Sequence, residues 1–202
     1  MSGVLVALAY LGGAIPVGLL VGWLVKKVDI RRYGSGNIGT TNVLRTLGPA
    51  WAAVVFALDA AKGFLPVLVG RHLGLPVGTL ALAAALAVAG HNWSVFLRFQ
   101  GGKGVATSLG ALLALAPLVA LGAAGVWILV VLVSGYASLG SMLGLTAAAL
   151  LLYLLGQPPA VVALGVALAA AALWQHRANI RRLLQGKELR FTQKIAVEGK
   201  DS

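Results

Sequence analysis

Apolar residues run along this chain in blocks long enough to cross a lipid bilayer, and short polar segments separate the blocks. The first block, 4–25, contains no charged residue, and a helix of about 20 apolar residues crosses the hydrocarbon of a bilayer. Further blocks predict spans at 49–70, 74–90, 105–119, 121–134, 138–156 and 159–175. The pattern predicts an all-α, polytopic integral membrane protein of about seven transmembrane helices, with residues 1–202 forming a single domain.

The block 105–134 is ambiguous, because it fits either one pass or two. One pass would leave the basic segment 176–202 outside the cell, although Lys and Arg concentrate on the cytoplasmic side of membrane proteins. Two passes, divided between Pro117 and Gly125, place this segment in the cytoplasm but require short helices. We therefore predict two short spans here.

Basic residues also predict the orientation of the chain. Four Lys and Arg residues follow the first span directly, whereas a secretory signal peptide carries its basic residues before the apolar run. The N-terminus is therefore expected outside, and the loops 26–48, 91–104 and 176–202, with the C-terminus, in the cytoplasm. Of the sixteen Lys and Arg residues, only Lys62 and Arg71 fall elsewhere.

Composition narrows the chemistry that such a protein can perform. Hydrophobic residues make up 59% of the chain and charged residues 10%, with a formal net charge of +11, which excludes an ordinary soluble domain. No cysteine is present, so thiolate nucleophiles, disulfides and Cys-based metal sites are excluded. Three His and five acidic residues offer little for a metal site, and we predict neither a metal nor another cofactor.

The first polar loop contains a glycine-rich turn suited to an anion. Its glycines allow backbone N–H groups to surround a negative charge, and short polar side chains and one Arg accompany them. The residues are Gly34, Ser35, Gly36, Asn37, Gly39, Thr41, Asn42 and Arg45. The glycines also spell G-x-G-x-x-G, but the dinucleotide fingerprint needs a buried strand before it, and basic residues stand there instead. We favour an anion pocket over a flexible connector.

The second polar loop places Lys103 among three glycines, directly before an apolar helix. Free N–H groups and the positive helix end are therefore expected beside the ammonium, as in a phosphate site. A Walker A motif is excluded because Leu97 occupies the place of its first glycine. His91 and Thr107 stand near the two ends of this loop as further candidates.

The third polar segment continues the last span as a basic helix. His176 and Asn179 share one face of it through their i, i+3 spacing, while Arg177 and Arg181 share another. A basic helix that leaves a membrane also binds anionic lipid, and this alternative stays open for Arg182 and its neighbours. His176 and Asn179 are better explained as members of a site.

Two smaller polar features lie within or between the spans. Asp59 and Lys62 stand three residues apart on one predicted helix, where an ion pair that joins neighbouring helices is favoured over a direct contact with substrate. Ser138 and Ser141 form a short polar stretch that lines the same pocket as the loops or caps a helix.

The three polar segments, in this order, resemble the signature motifs of the bacterial acyl-phosphate:glycerol-3-phosphate acyltransferases, the PlsY-type integral membrane family. The matching stretches are 34–42, 90–93 with 99–107, and 176–183, and 59–63 also fits the family pattern. The resemblance implies transfer of a fatty acyl group from acyl phosphate to the 1-hydroxyl of glycerol 3-phosphate, which yields lysophosphatidate and phosphate. It implies the first acylation step of phospholipid synthesis, at the cytoplasmic face of the bacterial inner membrane.

The loops and the resemblance together nominate site residues and partners. The expected catalytic residues are Ser35, Arg45, Lys103, His176 and Asn179. The expected substrate-binding residues are Gly36, Asn37, Gly39, Thr41, Asn42, His91, Gly102, Gly104, Thr107, Ser138, Ser141, Arg177 and Arg182. Glycerol 3-phosphate, acyl phosphate and membrane lipids are the expected partners, with no nucleic acid. The oligomeric state stays open, a monomer included.

The mechanism follows from what the sequence lacks. Soluble and peripheral glycerolipid acyltransferases use a His with an Asp five residues later as general base, and no His of this chain has an Asp at that spacing. We therefore expect direct attack by the glycerol hydroxyl, with Lys103, Arg45 and backbone N–H groups stabilising the developing charge. The proton acceptor stays open among His176, His91 and a substrate phosphate. A transporter of phosphorylated metabolites and a non-catalytic lipid-binding subunit are the alternative functions.

Overall fold

The computed structural model describes residues 1–197, which form ten α-helices and two short 3₁₀ turns. In chain order the helices are α1 (Ser2–Ala14), α2 (Val17–Lys26), α3 (Thr40–Leu47), α4 (Pro49–His72), α5 (Val77–Asn92), α6 (Val105–Leu115), α7 (Pro117–Ser134), α8 (Ala137–Leu154), α9 (Pro159–Gln175) and α10 (Arg177–Leu184). The 3₁₀ turns are Ile30–Arg32 and Val95–Leu97. The predicted all-α class is confirmed.

Five stretches are long and apolar enough to cross a membrane: Ser2–Lys26, Pro49–His72, Val77–Leu97, Pro117–Ser134 and Ala137–Leu154. A sixth results if α9 and α10, which meet at a bend of 56°, are counted as one broken span. The prediction of a polytopic membrane protein is confirmed, with five or six candidate spans in the described residues where the sequence predicted about seven. The orientation of the termini stays a prediction.

Part of the difference in span number lies in the ambiguous block 105–134, and the rest lies in α9, whose seventeen residues reach the length of a span only together with α10. The block is divided as predicted, but the break falls at Ala116, because Pro117 begins helix α7. Helix α6 therefore has eleven residues, and at 1.5 Å per residue it is about 16 Å long. This is roughly half the hydrocarbon thickness, so α6 is shorter than an ordinary membrane span.

Small residues allow the helices of the bundle to approach closely. Helix α4 packs along α6, where a Cβ added to Gly63 would collide with the backbone carbonyl of Thr107, and one added to Gly110 with that of Ala60. The α1–α5 pair is built in the same way, with Gly13 against the backbone of Ala87. In lipid, such contacts replace the hydrophobic effect as the force that joins helices.

Large apolar side chains cover the outside of the bundle. Leu132 and Val133 of α7 are 79% and 82% exposed, and Leu118 is 70% exposed. An exposed apolar surface of this kind is stable in lipid tails and not in water. Several polar side chains of the three loops are buried instead, among them Asn42, Arg45, His91, His176 and Asn179.

We predict that bulky substitutions in the α4–α6 contact destabilise the protein. Gly110→Leu should lower the melting temperature in detergent by roughly 2–10 °C, because overpacking costs about 1–3 kcal/mol. Gly125→Leu is the matched control, since nothing lies within 4 Å of a Cβ at that position of α7. Equal melting temperatures for the two variants would contradict the close contact.

Candidate active site

The three polar loops meet around one cavity of about 370 Å³. It lies among α3, α4, α6, α7 and α8, with residues of α10 and of the segment after it completing the wall. Twelve of the predicted site residues line it: Ser35, Asn37, Gly39, Thr41, Arg45, His91, Lys103, Gly104, Ser138, Ser141, His176 and Asn179. Residues distant in sequence are thus brought to a single site.

Three helices begin at this cavity. Helix α3 starts after Gly39, α6 after Gly104 and α8 at Ala137, and each contributes residues of its first turn to the lining. Among the described residues, no side chain caps any of the three. The first turn of a helix carries unpaired N–H groups and a partial positive charge, so the cavity is prepared for anions.

Asn42 folds the first loop toward the cavity. Its Nδ2 donates to the carbonyls of Ile30, Tyr33 and Asn37 at 2.8–3.2 Å, and its Oδ1 accepts from the backbone N–H of Ser35 at 2.9 Å. The side chain is 2% exposed. Its hydrogen-bonding groups are thus used within the protein, and Asn42 supports the loop from behind the lining.

Lys103 is held by a chain of charged and polar groups. Its Nζ donates to Asn179 Oδ1 at 2.6 Å, and Asn179 Nδ2 donates to Glu188 Oε1 at 2.6 Å. Glu188 also accepts from Ser138 Oγ at 2.9 Å and from Arg182 Nε at 2.8 Å. One buried carboxylate therefore connects the second loop, α8 and α10.

Glu188 is a member of the site that the sequence reasoning missed. Nothing in its spacing shows that distant segments of the chain converge on it. The usable signal was its isolation as the single acid in the basic stretch 176–197. Among residues 1–197, no group of three or more His, Cys, Asp or Glu is arranged to hold a metal ion.

Burial and neighbouring charges alter the ionisation of the site. Burial lowers the pKa of Lys103 to about 8, against the opposing effect of the Glu188 charge. Burial also lowers the pKa of Arg45. For Glu188, burial would raise the pKa, but hydrogen bonds from Asn179, Arg182 and Ser138 together lower it below the usual value. Lys103 is thus a cation that ordinary alkaline conditions can neutralise.

Arg45 joins the first loop to the chain after α10. Its Nε donates to the carbonyl of Arg190 at 3.1 Å and its NH2 to that of Leu189 at 3.0 Å. The carbonyl of Arg45 accepts from the N–H of Ile195 at 2.9 Å. The guanidinium therefore borders the cavity while it holds the segment that closes one side of it.

His176 is buried at the junction of α9 and α10 and lines the cavity. Its Nδ1 lies 2.7 Å from the carbonyl of Ala172, an arrangement in which a neutral ring carries its proton on Nδ1. In that tautomer Nε2 is unprotonated and able to accept a proton.

The other side of the cavity is apolar and borders the lipid. Phe56 of α4 and Ile128 of α7 line it and are 41% and 52% exposed. Leu109 of the short helix α6 and Leu145 of α8 also line it. A lipid tail can therefore reach the polar groups without passing through water.

Six predicted site residues lie outside the lining: Gly36, Asn42, Gly102, Thr107, Arg177 and Arg182. Thr107 is fully buried, and its carbonyl faces Gly63 in the α4–α6 contact. Arg177 stacks on the ring of Trp174 and donates to its carbonyl at 3.0 Å. Arg182 pairs with Glu188.

Three glycines of the first two loops stand where a side chain would collide with a neighbour or strain the backbone. A Cβ on Gly102 would collide with the ring of His91, and Gly104 turns with φ +73° beside Asn92. Gly36 turns with φ +71° in the first loop. Positive φ is costly for residues with a Cβ, so these positions shape the loops.

Comparison with known proteins shows the family of this chain. The family of glycerol-3-phosphate acyltransferases matches residues 3–186 of this chain. The chain belongs to that family. The acyltransferase is 50% identical over 187 residues to the glycerol-3-phosphate acyltransferase of Desulforudis audaxviator, covering 93% of this chain and 94% of the relative. It is 48% identical over 187 residues to the glycerol-3-phosphate acyltransferase of Rubrobacter xylanophilus, which again covers 93% of this chain and 94% of the relative.

Two solved structures are similar to the whole acyltransferase bundle. The glycerol 3-phosphate form of PlsY (YgiH), an integral membrane glycerol 3-phosphate acyltransferase, superposes with a TM-score of 0.90 at 42% identity. Its lysophosphatidic acid form gives 0.88 at 41%. Each comparison covers 94% of both chains. The predicted family, enzyme class and multi-pass membrane fold are thereby confirmed.

We predict that Glu188→Ala loosens the segment after α10 in this acyltransferase. The change leaves the side chains of Asn179, Arg182 and Ser138 without their shared acceptor. Limited proteolysis should cut the segment 189–197 faster, and the melting temperature should fall by about 2–6 °C, as expected for 1–2 kcal/mol. The measurement is cleavage rate followed by mass spectrometry.

The control is Lys187→Ala, an adjacent exposed position, which should change neither quantity. The Glu188 carboxylate contributes fully to the stability of the folded protein above its unfolded pKa of 4.5. Because the folded pKa is lower, this contribution should disappear as the pH falls through that lower value. Equal cleavage of the two variants would contradict the role given to Glu188.

Proposed function

We propose that this acyltransferase moves a fatty acyl group from acyl phosphate to the 1-hydroxyl of glycerol 3-phosphate, yielding lysophosphatidate and inorganic phosphate. The reaction takes place where the bundle meets the cytoplasm, at the inner membrane. The family supports the acceptor, and the bound states of PlsY (YgiH), with glycerol 3-phosphate and with lysophosphatidic acid, support the acceptor and the product. The donor and the membrane face are our own assignment.

One observation carries the proposal: a single cavity combines an anion-binding wall with an apolar wall that borders lipid. The anion wall consists of the first turns of α3, α6 and α8, with Lys103 and Arg45. The apolar wall includes Phe56, Leu109 and Ile128. An acyl phosphate has these two halves in one molecule, and each buried methylene of its chain contributes about 0.8 kcal/mol to membrane partition.

Two phosphate groups must enter this cavity together, one on each substrate. The turn around Ser35 and Asn37 leads into α3, with Arg45 on the same helix, and the turn around Lys103 leads into α6. We assign one phosphate to each of these helix ends, because two dianions require separate donors. The acceptor hydroxyl then lies between them, facing the acyl carbon.

The chemical step is a direct acyl transfer. The 1-hydroxyl oxygen forms a bond to the acyl carbonyl carbon, the bond from that carbon to the phosphate oxygen breaks, and inorganic phosphate leaves with its electron pair. Lys103, Arg45 and the helix N–H groups stabilise the charge on the carbonyl and phosphate oxygens. The hydroxyl proton goes to a substrate phosphate oxygen or to His176 Nε2.

A reconstituted assay tests this function. Purified protein given acyl phosphate and glycerol 3-phosphate should release phosphate and form lysophosphatidate in equal amounts, and acyl-CoA should not replace the donor. Because transfer is direct, donor alone should give no burst of phosphate. Product from acyl-CoA, a stoichiometric burst, or an isolable acyl-enzyme would overturn the donor or the direct mechanism.

Lys103 generates a separate prediction about pH. Its ammonium is charged below its pKa of about 8 and neutral above it, so kcat/KM, which reports the free enzyme, should fall above about pH 8. Lys103→Ala should lower kcat/KM at pH 7 by about 100-fold, as expected for losing a charge-assisted contact of 1.5–3 kcal/mol. Lys103→Arg keeps its charge at every pH tested, and its residual activity should lack the alkaline decline.

The matched control for these variants is Arg71→Ala, at an exposed position in the last turn of α4. This variant should show wild-type kcat/KM and the same alkaline decline. If Lys103→Ala is as active as wild type, the phosphate site is wrongly assigned.

A further inference from the structure

A buried cluster of charged groups lies beside the second loop, and two of its members, Asp59 and His91, line the cavity. Asp59 of α4 is 2% exposed and its Oδ1 pairs with Lys62 Nζ at 2.6 Å. His91, near the end of α5, is 5% exposed and its Nδ1 lies 3.6 Å from the same Asp59 oxygen. The mechanism above uses neither Asp59 nor Lys62, although burying these charges in a membrane protein is costly.

The cluster is attached to the loop that carries Lys103. The carbonyl of His91 accepts from the N–H of Gly102 at 2.9 Å, and the carbonyl of Asn92 accepts from that of Gly101 at 3.1 Å. The ring of His91 occupies the space where a Cβ on Gly102 would lie. The loop is therefore packed on the His91 ring, and Lys103 is the next residue along the chain.

The cluster is also attached to the bend between α1 and α2. Lys62 Nζ donates to the carbonyl of Ile15 as well as to Asp59. The neighbouring carbonyl of Ala14 accepts from Ser94 Oγ, at the start of the second loop. Two adjacent carbonyls at the bend between α1 and α2, those of Ala14 and Ile15, thus bind the loop and the ion pair.

We propose that Asp59, Lys62 and His91 are positioning residues for Lys103, acting on the phosphate site through the loop 101–103. Asp59 and Lys62 neutralise each other and fix α4 against α1, and the Asp59 carboxylate stabilises the His91 ring on which the loop rests. This inference depends on the proposed function, since it assigns the cluster to the phosphate site of the same reaction.

The test is a double-mutant cycle on kcat/KM for glycerol 3-phosphate, measured with a radiolabelled acceptor so that slow variants remain measurable. Asp59→Asn should lower kcat/KM by about 10-fold in the wild-type background, and by less than about 2-fold in the Lys103→Ala background. Once Lys103→Ala has removed the ammonium, Asp59→Asn can no longer lower kcat/KM by displacing it. His91→Asn should behave in the same way.

A second readout separates positioning from general destabilisation. If the loop loosens, the Lys103 ammonium reaches water, and the alkaline decline of kcat/KM should move upward from about pH 8 in Asp59→Asn and His91→Asn. The other charged groups whose fields act on Lys103, namely Glu188, Arg182 and Arg45, are unchanged in both variants. A purely structural defect would reduce the amount of active protein without moving this decline.

His72→Asn is the matched control, since His72 is an exposed residue that ends helix α4. It should leave kcat/KM and the pH profile at wild-type values. Equal losses from Asp59→Asn in the two backgrounds, with an unmoved alkaline decline, would overturn the positioning role. That result is distinct from failure of the proposed function, in which the wild type makes no product or Lys103→Ala is fully active.

Discussion

The site depends on keeping one partly buried ammonium, that of Lys103, charged at the edge of a lipid-embedded bundle. A cation taken out of water must be compensated by polar partners. Asn179 supplies an oxygen at 2.6 Å and Glu188 supplies the opposite charge through Asn179. Because these partners belong to α10 and the segment after it, the charge is stable only when the second loop has folded against that distant part of the chain.

The cavity also depends on one short helix, α6, in its wall. Helix α6 has only eleven residues and its first turn lines the cavity, whereas the neighbouring helices α4, α7 and α8 have 18 to 24 residues. The space left beside it is lined by Phe56 and Ile128, which face lipid. The cavity beside this short helix thus has a polar and an apolar wall, which we propose accommodate the two halves of the acyl phosphate.

Much of this arrangement could be predicted from residues close together in sequence. The apolar blocks indicated the all-α membrane class, and the glycine-flanked Lys103 indicated a phosphate site before any contact was known. Glu188 was missed because its role arises from partners that are 6 to 50 residues away. Asn42 looked like a substrate ligand by its residue type, but its amide is used by the loop backbone. Such assignments depend on three-dimensional packing, which spacing does not encode.

The most direct measurement is a crystal structure of the acyltransferase, crystallised from lipid or detergent, with inorganic phosphate bound. Inorganic phosphate is a proposed product of the reaction. The account predicts phosphate inside the cavity, within hydrogen-bonding distance of Lys103 Nζ or the Arg45 guanidinium and beside the first turn of α6 or α3. Phosphate bound only on the outer basic face of α10, around Arg181, would contradict it.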